Sequence, residues 1–374
     1  MNILVLSPDY PDDRRTTFSF VKQLVDEMAF QGHSIQVIAP YSLTHNKRFY
    51  KRKEVVKHGS GEITVYRPYY LSFSNFKIGR FRPSTWSFNQ AFRQGLKKLD
   101  KKPDVVYGHF WATAFQGYDY AKSNGLPLYV ASGESEIRFR NVNEKTRVFC
   151  EYVSGVICVS TKNLDESVKL KLTTKDKCVV IPNAINSSFF RKLDKTECRK
   201  QLNILLDAFI IIFVGWFVER KGPLRVAKAL SNVNQEKPVY SLFIGEGGQV
   251  PDCSNILFKG RVAHSELPKY LNAADVFVLP TLHEGCCNAV IEAMACGLPI
   301  ISSNLPFNWD VLDETNSIMV DPMNIEEISQ AIMTFRNNKE LRKKLSDSAL
   351  KKAESLTIDK RAVVIVDFIK ERIR

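Results

Sequence analysis

Two successive series of short apolar runs, each alternating with helix-like stretches, constrain the fold of this chain more than any other feature. The first series reads NILVLSP, SIQVIAP, EITVYRP, DVVYGHF, LPLYVAS, GVICVS and CVVIPN. A second series starts afresh beyond residue 186 and reads FIIIFVG, VYSLFIG, NILFKG, DVFVLP and PIISS. Strands that alternate with helices are typical of parallel α/β sheets. We therefore predict two α/β domains in tandem, followed by C-terminal helices.

The helical stretches support this prediction. Residues 17–32 carry apolar side chains at helical spacing and end at Gly32, a residue that commonly closes a helix. Residues 91–102 place Phe92 and Leu96 on one face and lysines on the other. Open parallel sheets bind ligands at the carboxyl ends of their strands, so the residues that directly follow a strand are the candidates for a site.

Several classes of protein are disfavoured by the sequence. No apolar run reaches the roughly 20 residues that a membrane-spanning helix needs. The start, MNILVLSPDY, has neither a basic segment nor a cleavage site, so we interpret it as a first strand and not as a signal peptide. The eight cysteines include no CxxC pair, which favours reduced thiols over a disulfide framework or a metal site. We expect a cytoplasmic protein.

The positive charge is concentrated in one segment. Residues 43–102 hold 15 Lys and Arg against three acids, so they carry +12 of the net +13. The segment interleaves these charges with Tyr66, Tyr69, Tyr70, Phe73, Phe76, Phe81, Trp86, Phe88 and Phe92. An anionic partner is therefore expected to meet this region and not the whole surface.

Two interpretations of this segment are open. A helix with apolar and cationic faces can lie in a bilayer interface, which would bring the protein to the inner face of the membrane. Alternatively, Phe88, Phe92 and Leu96 pack on the sheet and the lysines are merely solvated. We combine the two, with the apolar face inward and the charged face toward lipid head groups. Single-stranded nucleic acid would also suit such residues, but no RNP, KH or zinc pattern is present, so we expect no nucleic-acid partner.

The segment HEGCCNAVIEAMACGLPII places two acids, Glu284 and Glu292, after a predicted buried strand. If a helix begins near Asn288, the N–H groups of residues 286–289 would point toward a bound anion, which the helix dipole favours by about 0.3–1 kcal/mol. Gly285 would let the backbone approach a ligand closely. Carboxylates accept hydrogen bonds from sugar hydroxyls, so this order of acid, amides and acid suits a nucleotide sugar. The alternative is that both acids are solvated, although Glu292 has apolar neighbours and an acid in a packed helix needs a partner.

The stretch EGCCNAVIEAMACGLPII closely resembles the E-x7-E segment of the retaining glycosyltransferases of family 4. The similarity extends through NILVLSPDYP, QGHSIQVIAP, PDVVYGHF, VVIPNAINSSFF, FVGWFVERKGPLRVAKAL and FIGEGG. It implies the GT-B fold, in which two Rossmann-like domains with parallel sheets face each other across a cleft. Residues 1–186 would form the acceptor-side domain and residues 187–356 the donor domain, while helix 357–374 would pack back on the first.

The resemblance also implies roles for individual residues. Glu284 would contact the hydroxyls of the donor sugar and Glu292 those of the ribose, while Lys221 would bind the diphosphate with Arg220 beside it. The remaining donor-side candidates are Gly215, Trp216, Arg261, Val262, His283, Gly285, Cys286, Cys287 and Asn288. The acceptor-side or sugar-contacting candidates are Glu134, Thr16 and Thr17.

This chain departs from the family pattern at three places. Trp216 stands where the family usually has an Arg, so either Arg220 supplies that charge or Lys221 holds the diphosphate alone. The first loop, DYPDDRRTTFSF, lacks the usual glycines, and Glu134 follows Gly133 where the family often has a His. The lone turn GEGG is a weak nucleotide signature. We interpret His109, at a strand end, as structural.

The expected reaction follows from these implications. The sequence has no Asp-x-Asp motif, so we expect no metal and no cofactor; Lys221, Arg220 and the helix N-terminus would stabilise the departing diphosphate. The family retains anomeric configuration, and Glu284 would orient the donor instead of acting as nucleophile. The acceptor would be a lipid-linked or polysaccharide precursor of a cell-surface glycan. The alternatives are a GT-B sugar-nucleotide epimerase or phosphorylase and a nucleic-acid-binding protein; a Rossmann dehydrogenase is disfavoured because the first strand is not followed by glycines.

Overall fold

The computed structural model describes residues 1–13, 17–46, 50–74, 76–79, 81–233 and 238–373. These residues divide into two compact units. The first comprises residues 1–181 and the terminal helix, and the second comprises Pro182–Thr357. The division therefore falls a few residues before position 186, at which the sequence places the boundary.

The first unit contains the strands β1 (Asn2–Leu6), β2 (Ser34–Ile38), β3 (Tyr41–Ser42), β4 (Lys53–His58), β5 (Gly61–Tyr66), β6 (Tyr69–Tyr70), β7 (Val105–His109), β8 (Leu128–Ser132), β9 (Gly155–Cys158) and β10 (Cys178–Val180). In the described part of the chain, eight of them form one sheet in the order β10-β9-β8-β7-β1-β2-β5-β4. Its strands run parallel, except that β4 pairs antiparallel with β5 at the edge. β3 and β6 pair separately.

The helices of this unit follow the strands. They are α1 (Ser19–Phe30), α2 (Leu43–Asn46), α3 (Pro83–Leu96), α4 (Trp111–Gln116), α5 (Tyr118–Asn124), α6 (Glu144–Tyr152) and α7 (Thr161–Lys169), with a 3-10 turn at Lys175–Lys177. Gly32 follows α1 with φ of 90°, the left-handed conformation that glycine adopts at little cost. The central strands are buried on both faces, which is why they read as continuous apolar runs.

The second unit contains α8 (Lys195–Gln201), β11 (Ile210–Val214), α9 (Pro223–Val233), β12 (Tyr240–Ile244), β13 (Ile256–Gly260), α10 (Leu267–Ala273), β14 (Val276–Leu279), α11 (Asn288–Ala295), β15 (Ile300–Ser303), β16 (Ser317–Val320), α12 (Ile325–Asn337) and α13 (Lys339–Ala353). Within the described residues its sheet is parallel throughout, in the order β13-β12-β11-β14-β15-β16. This is the doubly wound order, with its switch point between β11 and β14.

The last helix, α14 (Ile358–Ile373), belongs to the first unit. The Tyr129 hydroxyl donates to the Ile369 carbonyl at 3.2 Å, and the Gln31 amide donates to the Asp359 carbonyl at 3.1 Å. Ala362, Ile365 and Ile369 are fully or almost fully buried on one face of the helix. Among the helices of the described chain, none combines the length and the hydrophobicity that crossing a bilayer requires.

The predicted strands and the helix start at Asn288 are confirmed. The sequence patterns do not predict the two-residue strands β3 and β6, nor β4 and β16. β4 carries exposed and charged residues on an edge, so it lacks the apolar signature of a buried strand. In the described residues, no disulfide joins any of the cysteines.

Candidate functional site

Two loops meet at the switch point of the second unit. β11 and β14 are hydrogen-bonded neighbours, and their carboxyl ends lead into residues 215–222 and 280–287. The backbone joins the loops directly, because the Leu282 N–H donates to the Arg220 carbonyl at 2.8 Å. This edge of a doubly wound sheet is where such folds bind ligands. The loops bring Lys221 and Glu284 together, although neither residue is close to the other in sequence.

The Glu284 carboxylate is the centre of this cluster. Its Oε1 atom lies 2.6 Å from Lys221 Nζ and 2.6 Å from Arg220 Nη1, and it accepts a hydrogen bond from Thr281 Oγ1 at 3.0 Å. Lys221 and Glu284 leave only 11% and 12% of their side chains exposed, against 36% for Arg220. Two cations against one carboxylate leave a local excess of one positive charge. Such a cluster can attract an anion while the acid stays oriented.

Lys221 is held in this position by burial and by its neighbours. Burial by itself lowers the pKa of the ammonium group, but the Cys287 sulfur, 3.9 Å away, and the Glu284 carboxylate more than offset that effect, so its pKa is raised. Lys221 is therefore a charged, nearly buried group at neutral pH. It is not a solvated charge ahead of helix α9, although a lysine at such a position is usually solvated.

The N-terminus of helix α11 faces the same cluster. Its N-cap residue is Cys287, and no side-chain hydrogen bond caps this end. Burial raises the pKa of the Cys287 thiol, whereas Lys221 and the N–H groups of Val290 and Ala289 act in the opposite direction. Asn183 fixes the preceding turn, because its amide donates to the Cys286 carbonyl at 2.9 Å and to Asn288 Oδ1 at 2.8 Å.

These contacts also place the smaller candidates. Gly285, Cys286 and Cys287 are buried in the turn that leads into the helix, and Asn288 is its first residue. Asn183 was not predicted from the sequence as part of this site. It comes three residues after strand β10, yet nothing in its own neighbourhood indicates a contact so distant along the chain.

The second acid, Glu292, pairs with a residue that the sequence analysis missed. Its Oε1 atom lies 3.1 Å from Nε2 of His264, and the His264 ring packs edge-on against Phe190. The hydrogen bond to Glu292 raises the pKa of His264 against the opposing effect of burial. Glu292 is only 12% exposed, so the prediction that an acid in this packed helix needs a partner is confirmed. His264 follows β13 closely, and this position after a strand was the only available signal.

The turn GEGG has a structural explanation. A Cβ atom on Gly245 would lie 1.9 Å from the Gly215 carbonyl oxygen, and one on Gly247 would lie 2.3 Å from that of Phe217. Both glycines have positive φ, at 155° and 146°. The turn therefore packs its backbone directly on the loop after β11. That loop presents Trp216 to solvent.

The other donor-side candidates lie nearer the surface. Arg261 forms an exposed ion pair with Glu246 at 3.2 Å, and Val262 beside it is half-buried. The His283 side chain is exposed, and its carbonyl accepts a hydrogen bond from Arg220 Nη1 at 2.5 Å. The contribution of His283 to the cluster therefore comes from its backbone.

In the first unit, Glu134 follows strand β8 and caps a helix. Its Oε1 accepts the Trp111 N–H, the first of helix α4, at 2.9 Å, and its Oε2 accepts from Ser132 Oγ at 3.3 Å. Burial raises the pKa of Glu134 to about 6, although these hydrogen bonds oppose the shift. His109 is buried and its pKa is lowered to about 3 by burial, so it is neutral at physiological pH.

Of the two threonine candidates, Thr17 lies in the loop after β1. Thr17 is exposed, and its hydroxyl donates to Asp9 Oδ2 at 2.6 Å. Thr16 lies outside the described residues. The local partner of Thr17 is therefore an acid of its own loop.

Comparison with known families assigns both halves of the chain. Residues 194–352 match the model of Glycosyl transferases group 1, and residues 18–189 match that of Glycosyltransferase Family 4. Among curated proteins, the chain is 26% identical over 382 residues to the putative teichuronic acid biosynthesis glycosyltransferase TuaC of Bacillus subtilis, covering 93% of this chain and 92% of that protein. It is 25% identical over 272 residues to an Escherichia coli UDP-Gal:alpha-D-GlcNAc-diphosphoundecaprenol alpha-1,3-galactosyltransferase, covering 66% and 70%.

Solved structures agree at the level of the fold. Sucrose-phosphate synthase from Thermosynechococcus elongatus superimposes with a TM-score of 0.78 at 18% identity, over 99% of this chain and 98% of that one. HepE of Anabaena, in complex with UDP and glucose, gives a TM-score of 0.70 at 14% identity, over 99% and 100%.

Proposed function

This chain belongs to glycosyltransferase family 4 and has the GT-B fold, and from that premise we propose that it transfers a sugar from a nucleoside-diphosphate sugar to a hydroxyl acceptor with retention of anomeric configuration. One observation carries the proposal: Lys221, Arg220 and the N-terminus of helix α11 converge on Glu284 at the switch point of the second unit. A cationic cluster with one fixed carboxylate matches a ligand that joins a diphosphate to a polyol.

The cations and the helix N-terminus would hold the diphosphate. Lys221 has three N–H donors and directs one at Glu284 and one at the Cys287 sulfur, so the third can reach a phosphate oxygen. Arg220 offers further donors from a more exposed position. Charge that builds up on the leaving diphosphate is then met by groups already in place, which is the most effective form of electrostatic stabilisation.

The two acids would hold the two polyols. Glu284, held in one orientation by its three donors, would accept hydrogen bonds from the sugar hydroxyls. Glu292 would accept hydrogen bonds from the ribose hydroxyls. The His264 imidazole, which is hydrogen-bonded to Glu292 Oε1, would then lie where the nucleoside binds. The exposed Trp216 and Arg261 follow strands β11 and β13 of the same sheet and are two further donor-side candidates.

The chemical step breaks the bond between the anomeric carbon and the diphosphate oxygen, and the nucleoside diphosphate leaves with the electron pair. The acceptor oxygen attacks from the same face and its proton passes to the departing phosphate. We assign Glu284 an orienting and electrostatic role in this step. We further propose that the reaction needs no metal, because Lys221 and Arg220 are positioned to neutralise the leaving group.

The proposed acceptor is a lipid-linked or polysaccharide precursor of a cell-surface glycan. The names of two relatives support this class: one refers to teichuronic acid biosynthesis, and the other to a sugar carried on diphosphoundecaprenol. Both resemblances cover about two thirds or more of this chain.

The test combines a binding screen with product analysis. We expect nucleoside diphosphates and one group of nucleotide sugars to raise the thermal unfolding midpoint, because a ligand that binds only the native state stabilises it. With the matching donor and a lipid-linked acceptor, a chelator should leave turnover unchanged and the new linkage should keep the anomeric configuration of the donor. An inverted linkage, strict dependence on added divalent metal, or a sugar nucleotide converted without any acceptor would each contradict the proposal.

A further inference from the structure

An exposed set of apolar side chains lies between strand β6 and the second turn of helix α3. We call it the aromatic patch; its members, each 44–61% exposed, are Leu71, Phe73, Phe76, Ile78, Phe81 and Trp86. Singly exposed apolar residues are ordinary on protein surfaces, but six within 16 consecutive positions are not. Such a concentration marks a surface that meets an apolar partner.

The backbone beneath the patch is hydrogen-bonded. Ile78 and Phe81 exchange two backbone hydrogen bonds, of 3.0 and 2.9 Å, around Gly79, whose φ is 58°. The Phe73 N–H donates to Ser84 Oγ at 2.8 Å, which ties the segment to the first turn of helix α3. Hydrogen bonds therefore hold the backbone of Phe73, Ile78 and Phe81, while their apolar side chains remain exposed.

Helix α3 already satisfies its own buried face. Phe92 is fully buried, Leu96 is nearly so, and Phe88 packs edge-on against Phe92 with ring centroids 5.1 Å apart. The interpretation that these side chains pack on the sheet is confirmed. Trp86, by contrast, shares the solvent face of the helix with Arg93, which lies two turns further along. The patch is thus a second apolar surface, separate from the one that faces the core.

The electrostatics around the patch have one sign. From residue 63 to residue 99 the chain contains seven Lys and Arg and no Asp or Glu. Lys77, Arg82 and Arg93 are exposed within this stretch, and Lys97 and Lys98 follow at the end of helix α3. If a second copy of the chain docked here through the same face, the lysines and arginines of the two copies would repel each other. An anionic surface would neutralise them.

From this combination we propose that the aromatic patch docks the protein on an anionic membrane surface. Phe76, Ile78 and Phe81 enter the boundary between head groups and acyl chains, where aromatic and aliphatic side chains are favoured. The surrounding lysines and arginines lie along the anionic head groups. The docking does not depend on the proposed transfer reaction, although it would bring that reaction to acceptors carried on a lipid.

The test is co-sedimentation of the full-length protein with vesicles of phosphatidylcholine, with and without phosphatidylglycerol. We expect binding to the anionic vesicles and about tenfold weaker binding at high salt, because salt screens exposed charges. The triple variant Phe76→Ser, Ile78→Ser, Phe81→Ser should lose about tenfold or more in partitioning. A matched control is Val363→Ser, Val364→Ser, which removes two comparably exposed apolar side chains from helix α14 and should bind as the wild type does.

A second variant keeps the test decisive if the triple variant does not fold. Arg93→Gln, Lys97→Gln, Lys98→Gln removes three cations without touching the core and should weaken binding selectively to anionic vesicles. The inference is overturned if the wild type ignores phosphatidylglycerol vesicles, or if both variants sediment like the wild type. It is also overturned if a single-stranded oligonucleotide, and not the vesicles, is the ligand that the patch variants lose. It is equally overturned if the substitutions convert a dimer to a monomer and leave vesicle binding as in the wild type.

Discussion

Lys221 Nζ lies 2.6 Å from Glu284 Oε1, in a pair that is almost closed to solvent and that neighbouring strands of one sheet bring together. Arg220 and Thr281 bind the same oxygen atom. The pair therefore holds in place the cation that we propose for the diphosphate and the acid that we propose for the sugar. Preorganisation of this kind removes the cost of arranging dipoles during the reaction.

Replacing Glu284 with Gln should separate diphosphate binding from catalysis. The variant removes the counter-charge of Lys221 and Arg220, so a nucleoside diphosphate should bind as tightly as before or more tightly. The oriented acid is lost, so kcat/KM should fall by about 10²–10³. Isothermal titration and initial rates measure the two effects, with the exposed Glu266→Gln as control. Unchanged turnover in Glu284→Gln would refute the role assigned to this acid.

Lys221→Ala should lower kcat/KM by about 10²–10³, because it deletes the nearly buried donor that we propose for the leaving diphosphate. Arg220→Ala should cost less, since its side chain is three times as exposed and solvent screens its charge. Steady-state kinetics against the donor make the comparison, with the surface lysine variant Lys269→Ala as control. A larger loss of kcat/KM in Arg220→Ala than in Lys221→Ala would contradict this prediction and make Arg220 the more important cation.

Gly245→Ala should destabilise the second unit, because the new Cβ would fall 1.9 Å from the Gly215 carbonyl oxygen. Relieving such a clash typically costs about 1–3 kcal/mol, or roughly 2–10 °C in the unfolding midpoint. Gly248→Ala is the matched control, since a Cβ there has no atom within 4 Å. Equal midpoints for the two variants, read by differential scanning fluorimetry, would contradict the close backbone approach.

Glu134→Gln should stabilise the protein at neutral pH. Because burial raises the folded-state pKa of Glu134 from 4.5 to about 6, its contribution to stability is fully present below pH 4.5 and is lost as the pH rises through 6. That difference corresponds to about 2 kcal/mol. The amide keeps an oxygen that can accept the Trp111 N–H.

The measurement for Glu134→Gln is urea unfolding at pH 4.5 and at pH 7. The variant should match the wild type at the lower pH and exceed it at the higher. Glu136→Gln, an exposed acid paired with Arg138, should follow the wild type at both. A wild-type advantage at pH 7 would mean that the ionised carboxylate is the stabilising form.

Much of the site could be predicted because it lies on regular elements. The apolar runs predict β11 and β14, and the helix expected to begin near Asn288 begins at that residue. What could not be predicted were partners contributed by distant loops: Asn183 at the turn before α11, His264 on Glu292, and the near-burial of Lys221. A local pattern records the preference of a segment but not which other segment will lie against it.

The amino-acid sequence alone determined the two α/β units, the positions of their buried strands and the acids and cations that follow them, because periodic hydrophobicity and turn residues act locally. Only the tertiary structure decided that Lys221 and Arg220 share one oxygen of Glu284, and that the residues of the aromatic patch face outward. The reason is physical: strand order and side-chain direction depend on contacts between segments far apart in the chain, and these form only when the sheet is assembled.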